Sequence, residues 1–135
     1  MVKITVPAQP DCVYIVLGFI GEMMHKAEID EARQSNVLIA AEEIFVNIAC
    51  YAYPSAPGEV TVHTCVEADV VTVEFCDSGV PYNPLKKEDP DISRPLEERD
   101  IGGLGIFMAK RLMDTVEYRH ENGMNILTLK KDTKN

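Results

Sequence analysis

The sequence is short of basic residues and of long apolar runs, and each shortage excludes a class of protein. Its 135 residues include 13 lysine and arginine residues against 22 aspartates and glutamates, which gives a formal net charge of −9. Nucleic acids and anionic membranes bind basic surfaces, so neither is expected as a partner. No apolar run approaches the roughly 20 residues of a membrane-spanning helix, and the first residues do not read as a signal peptide. A cytoplasmic location is therefore expected.

Cysteine and histidine are also scarce. The four cysteines, at positions 12, 50, 65 and 76, form no Cys-x-x-Cys pair, and no histidine stands at metal-ligand spacing from them. They are predicted to be buried thiols in a reducing compartment rather than a disulfide framework. The scattered histidines His25, His63 and His120 are predicted to lie at the surface or on the face of a strand. With 46% hydrophobic and 26% charged residues, the composition fits one globular domain over residues 1–135.

Hydrophobic periodicity and turn residues predict three helices and five strands. In chain order these are strand 2–6, a helix beginning near 10–11, a helix from 29–31 to about 52, strands 59–67 and 70–76, a helix from about 103 to 113, and strands 115–120 and 124–131. Residues 77–105 hold four prolines and four glycines, so a long functional loop is expected there. The expected fold class is α+β, a two-layer α/β sandwich whose mixed, mostly antiparallel sheet carries helices on one face.

The second predicted helix carries an unusual pair of polar residues. Apolar residues at spacings of three and four predict a core stripe at Leu38, Ala41, Phe45, Ile48 and Ala52. Glu43 and Asn47 lie one turn apart on roughly the opposite side, among neighbours that are themselves apolar. Buried polar groups need partners. The pair therefore either lies on an exposed rim or belongs to a site.

Two further motifs lie at the ends of predicted elements. Asp77-Ser78-Gly79 follows a strand and is either a simple turn or a carboxylate that projects into a pocket, where Gly79 would let a flat ring approach the backbone. Gly102-Gly103-Leu104-Gly105 precedes a helix and is either a flexible joint or a set of free amides at a positive helix end. The spacing matches neither a Rossmann fingerprint nor a P-loop.

Taken together and in this order, the three motifs resemble the GHKL ATP-binding fold, which histidine-kinase catalytic domains and gyrase share. The motifs are Glu43-Ile44-Phe45-Val46-Asn47, Asp77-Ser78-Gly79 and Gly102-Gly103-Leu104-Gly105. Within that superfamily the chain is most similar to the anti-sigma-factor serine kinases of bacterial partner-switching systems. This narrower resemblance rests on the compact length, the segment 47–54 and the run 95–114, and it covers about residues 5–131.

The resemblance implies a role for each matching residue. Glu43 would be the general base that polarises the attacking hydroxyl, Asn47 would hold Mg²⁺ that bridges the ATP phosphates, and Asp77 would accept from the adenine 6-amino group. The lid over the nucleotide would span about residues 80–102. The remaining nucleotide contacts that the resemblance implies are Gly79 beside the ring, the phosphate-binding amides of Gly103 and Gly105, Arg99 at the γ-phosphate, and Leu104 and Cys50.

The chain departs from the family's pattern at one position. The family usually has a histidine four residues after the metal-binding asparagine, where this chain has Tyr51. The substitution affects a hydrogen bond that the family's histidine makes. It changes neither the implied base, Glu43, nor the implied metal ligand, Asn47. Thr128, on the last predicted strand, could reach the adenine through water, but an ordinary strand threonine is the expectation there.

The function that the resemblance implies is that of a Mg-ATP-dependent serine kinase. It would phosphorylate an anti-sigma antagonist of the STAS type, regulate a sigma factor and work as a homodimer. The alternative from a different class is an ATP-gated protein-binding module without kinase activity. A histidine-kinase catalytic domain is not expected, since no long phosphoacceptor hairpin is evident and His25 precedes a lysine rather than an acid. A purely structural domain requires all three motifs to be coincidences.

Overall fold

The computed structural model of the chain describes residues 1–86 and 101–134, and its elements follow the predicted order. The strands are β1 (Val2–Pro7), β2 (Glu59–Glu67), β3 (Val70–Asp77), β4 (Thr115–Glu121) and β5 (Met124–Asp132), and the helices are α1 (Val13–Lys26), α2 (Glu31–Tyr51) and α3 (Ile101–Leu112). The strands form one sheet in the order β1-β2-β3-β5-β4, with each neighbouring pair antiparallel. The predicted α+β class is confirmed, and none of the described helices is long and apolar enough to cross a membrane.

The core lies between the sheet and the three helices, all on one side. Alternate residues of the central strands are buried, as expected for a sheet with one covered face. The sheet contributes chiefly Val60, Val62, Val71, Val73, Phe75, Leu127 and Leu129, and the helices contribute chiefly Val16, Ile20, Met24, Val37, Ile44, Phe45, Ile106 and Ala109. The opposite face of the sheet carries mostly polar side chains.

Two tight turns set the registers of the β2–β3 and β4–β5 hairpins. Ala68 and Asp69 join β2 to β3 with φ angles of 51° and 64°, and Asn122 and Gly123 join β4 to β5 with φ angles of 54° and 76°. Both central positions with positive φ are typical of a type I′ hairpin, whose twist matches that of the strands. The separate pairing of β3 with β5 places Asp77, the last residue of β3, opposite Asn125.

The helix boundaries agree with the predictions to within a few residues. A 3₁₀ turn over Pro10–Cys12 precedes α1. The side chain of Asp30 caps α2 by accepting from the Arg33 amide at 3.1 Å, which satisfies one of the helix's free N–H groups. Helix α3 begins at Ile101, so the glycine motif lies in its first turns rather than before it.

The predicted core stripe of α2 was partly wrong. The buried residues of α2 are Val37, Ala40, Ala41, Ile44 and Phe45, whereas Leu38, Ile48 and Ala52 are only half-buried. Helix α2 packs against α1 and α3 as well as the sheet, so its buried face is wider than a single stripe and is rotated toward Ala40 and Ile44. Glu43 consequently faces α3, whereas Asn47 lines the cleft described below.

The prediction that all four cysteines are buried was wrong for most of them. Cys50 is exposed, Cys12 and Cys65 are half-buried, and only Cys76 is buried, and all four thiols are free. Burial, assisted by the charge of Glu74, raises the pKa of Cys76 to about 11. That thiol therefore stays protonated at neutral pH.

Candidate functional site

A cleft opens between the C-terminal half of α2 and the sheet. Its empty volume, including the part open to solvent, is about 430 Å³. The apolar walls come from Ile44 of α2 and Leu127 of β5, and polar groups are contributed by Asn47, Asp77 and Tyr118. Apolar walls with a few fixed polar groups suit a flat, partly polar ligand.

Asp77 is the buried polar anchor of this cleft, with only 4% of its surface exposed. Its Oδ1 accepts from the amide of Gly79 and from the Nδ2 of Asn125, both at 2.9 Å. Among the residues that the structure describes, no group donates to its other oxygen, Oδ2. Asp77 lines the cleft, so this oxygen is open to a ligand there. Asp77 is therefore placed to accept a hydrogen bond from a ligand in the cleft.

Asn125 orients this carboxylate, and the sequence analysis missed it. The residue is 6% exposed, and its Nδ2 donates to Asp77 and, at 3.0 Å, to the carbonyl of Val80. Its Oδ1 accepts from the hydroxyl of Tyr118. With its amide saturated in this way, Asn125 holds the Asp77 side chain in a single orientation.

Tyr53 fixes the chain just beyond β3. Its hydroxyl donates to the Glu59 carbonyl at 2.7 Å and accepts from the Ser78 amide at 2.8 Å. Burial raises the pKa of Tyr53, so the phenol keeps the proton that it donates. The start of β2 and the residue after β3 are thereby tied to the C-terminal end of α2.

Gly79 packs against the end of α2 rather than against the cleft. A Cβ atom at this position would lie 2.3 Å from the carbonyl oxygen of Ala52 and 2.7 Å from its Cβ. The following amide, that of Val80, donates to the same carbonyl at 2.8 Å. Gly79 does not line the cleft. Its predicted role beside an aromatic ring stays a prediction, and the structure supplies a separate reason for glycine, namely close packing of two backbone segments.

Replacing Gly79 by alanine is expected to lower the free energy of unfolding by about 1–3 kcal/mol, because the new methyl group collides with the Ala52 backbone. Gly18 is a matched control, since it lies in α1 with nothing within 4 Å of an added Cβ. Alanine at that position should raise the stability by about 0.5–1 kcal/mol, because glycine is a poor helix former. Urea denaturation measures both effects, and an unchanged midpoint for Gly79→Ala would contradict the assignment.

Glu43 lies against the glycine motif of α3. A Cβ atom on Gly105 would lie only 2.6 Å from the Glu43 Oε2, so the carboxylate occupies the space that a side chain there would need. Asn47, one turn further along α2, lines the cleft together with Asp77. Helix α2 therefore brings the three predicted motifs together. Asn47 lies in the cleft with Asp77, and Glu43, one turn earlier on α2, lies against Gly105.

Several predicted site residues are not brought to the cleft. Cys50 is exposed and does not line it. Thr128 faces the opposite side of the sheet, where its hydroxyl donates to the Glu74 Oε2 at 3.4 Å, so the ordinary strand threonine was the correct expectation. Gly103 and Leu104 belong to the first turns of α3. Arg99 and most of the predicted lid lie outside the described residues, and their roles stay predictions.

Comparison with known proteins agrees with the resemblance seen in the sequence. The family model described as "Histidine kinase-like ATPase domain" matches residues 6–131. Two relatives called serine-protein kinase RsbW, from Bacillus mycoides (strain KBAB4) and Bacillus cereus (strain B4264), are each 29% identical over 133 residues, which covers 96% of this chain and 83% of the relative. Their names agree with the predicted class of enzyme.

A solved structure supports the fold. The crystal structure of the RsbU and RsbW domains of Rv1364c from Mycobacterium tuberculosis superposes with a TM-score of 0.67 at 15% sequence identity. The match covers 98% of this chain but only 32% of that longer chain. At this level of identity the likeness establishes the shared architecture alone.

Proposed function

Because the chain belongs to the histidine kinase-like ATPase domain family, we propose that it binds Mg-ATP in the cleft between α2 and the sheet and transfers the γ-phosphoryl group to a serine of a partner protein. The observation that carries the proposal is the placement of Glu43 against Gly105, one helical turn from Asn47. A carboxylate in that position can act as a general base in phosphoryl transfer, whereas nucleotide binding alone requires no base.

The adenine end of the cleft fits a purine. Asp77 offers an oxygen without a donor from any described residue, and the 6-amino group of adenine is a donor. The flat ring would lie between Ile44 and Leu127, whose side chains form apolar walls. Asn125 and Tyr118 keep the acceptor in place without competing for the ligand, because their polar atoms are already paired.

The phosphate end fits a magnesium complex. Mg²⁺ prefers oxygen ligands and retains several waters, so the amide oxygen of Asn47 together with phosphate oxygens is a sufficient donor set. Bound there, the ion would neutralise charge on the phosphates during transfer. The glycines at the start of α3 leave backbone amides at the positive end of a helix, where anions bind. A protein with a net charge of −9 can thus hold an anionic nucleotide through local groups.

Glu43 is the proposed general base. Phosphoryl transfer depends mainly on positioning and on charge neutralisation, so one well-placed carboxylate is enough acid–base chemistry for the protein to supply. Glu43 would accept the proton of the attacking serine hydroxyl while the phosphorus–oxygen bond to the leaving ADP breaks. Because Gly105 has no side chain, there is room for this carboxylate beside the first turns of α3, where the phosphates would lie.

The proposed protein substrate is a small anti-sigma antagonist of the STAS type, and the regulated partner is a sigma factor. The family resemblance and the serine-protein kinase relatives support this assignment. We propose that the chain works as a homodimer in the cytoplasm, as the same resemblance implies.

The direct experiment incubates the purified protein with Mg²⁺, γ-labelled ATP and a purified STAS-domain antagonist. Labelled phosphoserine on the antagonist is the expected product. If the protein captures the antagonist only in the presence of nucleotide and no label is transferred, the ATP-gated binding module is the correct function and the kinase assignment is wrong.

Asn47→Leu is expected to abolish the part of nucleotide-induced stabilisation that depends on Mg²⁺. Binding to the native state at about 100 times Kd adds about 2.7 kcal/mol of stability, which corresponds to a rise in melting temperature on the order of 10 °C for a domain of this size. The wild type should gain more from ADP with Mg²⁺ than from ADP alone, and Asn47→Leu should gain equally little from both. Asn47→Asp retains a ligand oxygen and is the matched control, expected to keep a response to Mg²⁺.

A further inference from the structure

The face of the sheet that points away from the helices carries three metal-binding side chains close together. His63 lies on β2 and is the direct cross-strand partner of Glu74 on β3, and Cys76 follows Glu74 by two residues on the same face. Their ligand atoms, one from each residue, all lie within 4.8 Å of one another. None of the three belongs to the proposed nucleotide cleft, and the sequence spacing predicted no such cluster.

The distances suit a tetrahedral metal ion. The His63 Nδ1 lies 3.9 Å from both the Glu74 Oε1 and the Cys76 Sγ, and the Sγ lies 3.7 Å from the Oε1. With bonds of about 2.0–2.3 Å, tetrahedral zinc separates such ligand atoms by roughly 3.3–3.6 Å. Side-chain movements of a few tenths of an ångström would therefore close the site.

We propose that His63, Glu74 and Cys76 form a zinc site, with water as the fourth ligand and with the Cys76 thiol releasing its proton to solvent as the metal binds. One nitrogen, one carboxylate oxygen and one sulfur are a donor set that zinc accepts, whereas Mg²⁺ and Ca²⁺ favour oxygen alone. The fourth position faces solvent, since the His63 and Glu74 side chains are 27% and 20% exposed. Cys76 forms the buried floor of the site with 8% of its surface exposed.

The neighbouring strands contribute a hydrogen bond to the site and also place cations close to it. Thr128 on β5 donates to the Glu74 Oε2 at 3.4 Å, which turns the other carboxylate oxygen toward the cluster. Lys3 on β1 is the direct cross-strand partner of His63, and Arg119, in the same cross-strand row as Cys76, has its guanidinium engaged by Glu121 at 2.8 Å. Without metal the Cys76 thiol donates to the Glu74 Oε1 at 3.7 Å, while 3.9 Å between His63 and Glu74 is too long for a direct hydrogen bond.

Cobalt(II) and zinc titrations of the full chain, without nucleotide, test the proposal. Co²⁺ should bind at one equivalent and give the near-ultraviolet charge-transfer band of a cobalt–thiolate bond, and Zn²⁺ should displace it. Cys76→Ser should lose the band. Cys65→Ser is the matched control: it removes a thiol from the same face of the sheet, on β2, and should keep the band. His63→Ala should weaken zinc binding at least tenfold in competition with a chromophoric chelator, and Asn47→Leu should not change it.

Thermal unfolding without metal shows whether each variant is folded. A band that persists in Cys76→Ser, or wild-type Co²⁺ binding without any thiolate band, would overturn the assignment. Equal zinc affinity in His63→Ala and the wild type would overturn it as well. Because the readouts are spectroscopic and independent of ATP, they stand apart from the test of kinase activity.

Discussion

Asp77→Asn is expected to weaken ATP binding about 100-fold while leaving the fold intact. The asparagine oxygen can still accept from Gly79 and Asn125, so the native contacts of this side chain survive. Its amino group then faces the cleft, where it meets the adenine amino group as donor against donor. Losing a hydrogen bond to a charged acceptor and leaving a donor unpaired cost about 1–3 kcal/mol each, and about 2.8 kcal/mol corresponds to 100-fold.

Titration calorimetry with Mg-ATP measures the loss, and urea denaturation confirms the fold. Asp11→Asn removes the same charge from an exposed aspartate ahead of α1 and should bind ATP like the wild type. If Asp77→Asn and Asp11→Asn bind ATP with equal affinity, then Asp77 is not the adenine acceptor.

Glu43→Gln is expected to lower phosphoryl transfer by about 100- to 10,000-fold, the usual contribution of a positioned general base. Glutamine has nearly the same shape, so it still fits against Gly105, but it cannot take the proton of the serine hydroxyl. ATP affinity should stay within a few-fold of the wild type, because no role in nucleotide binding is assigned to this carboxylate.

Glu42→Gln is a close control for this experiment. Glu42 is the preceding residue on α2, is exposed, and carries the same charge. It should transfer phosphate at the wild-type rate. Phosphoryl transfer is measured in single turnover with labelled ATP and the antagonist. Full activity in Glu43→Gln would show that Glu43 is not the general base, while the proposal that the cleft binds nucleotide would stand.

Local sequence signals were sufficient for most of the architecture. Alternating apolar residues and hairpin turns such as Asn122-Gly123 marked the strands, and hydrophobic periodicity marked the helices. The buried face of α2 was less predictable, because it depends on where α1 and α3 pack, and that information is not local.

Site residues were predictable where one motif carries the signal and not where two distant strands meet. Asp77 stood out because it follows a strand directly. Asn125 did not, since its role depends on the β3–β5 register that brings it next to a residue 48 positions earlier. His63 and Cys76 likewise become neighbours only through strand pairing across 13 residues, so their spacing along the chain resembled no metal motif.

The reason for a glycine was also hidden in the sequence. Asp77-Ser78-Gly79 suggested room for a flat ring, yet the space at Gly79 is taken by the Ala52 carbonyl. Which backbone segment approaches a glycine is decided by tertiary packing, and a short motif does not contain it.

The central claim is that the cleft between α2 and the sheet seats the nucleotide. A crystal structure of the protein with Mg²⁺ and a non-hydrolysable ATP analogue tests it most directly. The adenine amino group is predicted to lie within hydrogen-bond distance of the Asp77 carboxylate, with the phosphates directed toward Asn47 and the start of α3. A nucleotide bound elsewhere on the chain, with this cleft filled by its own side chains, would contradict the account.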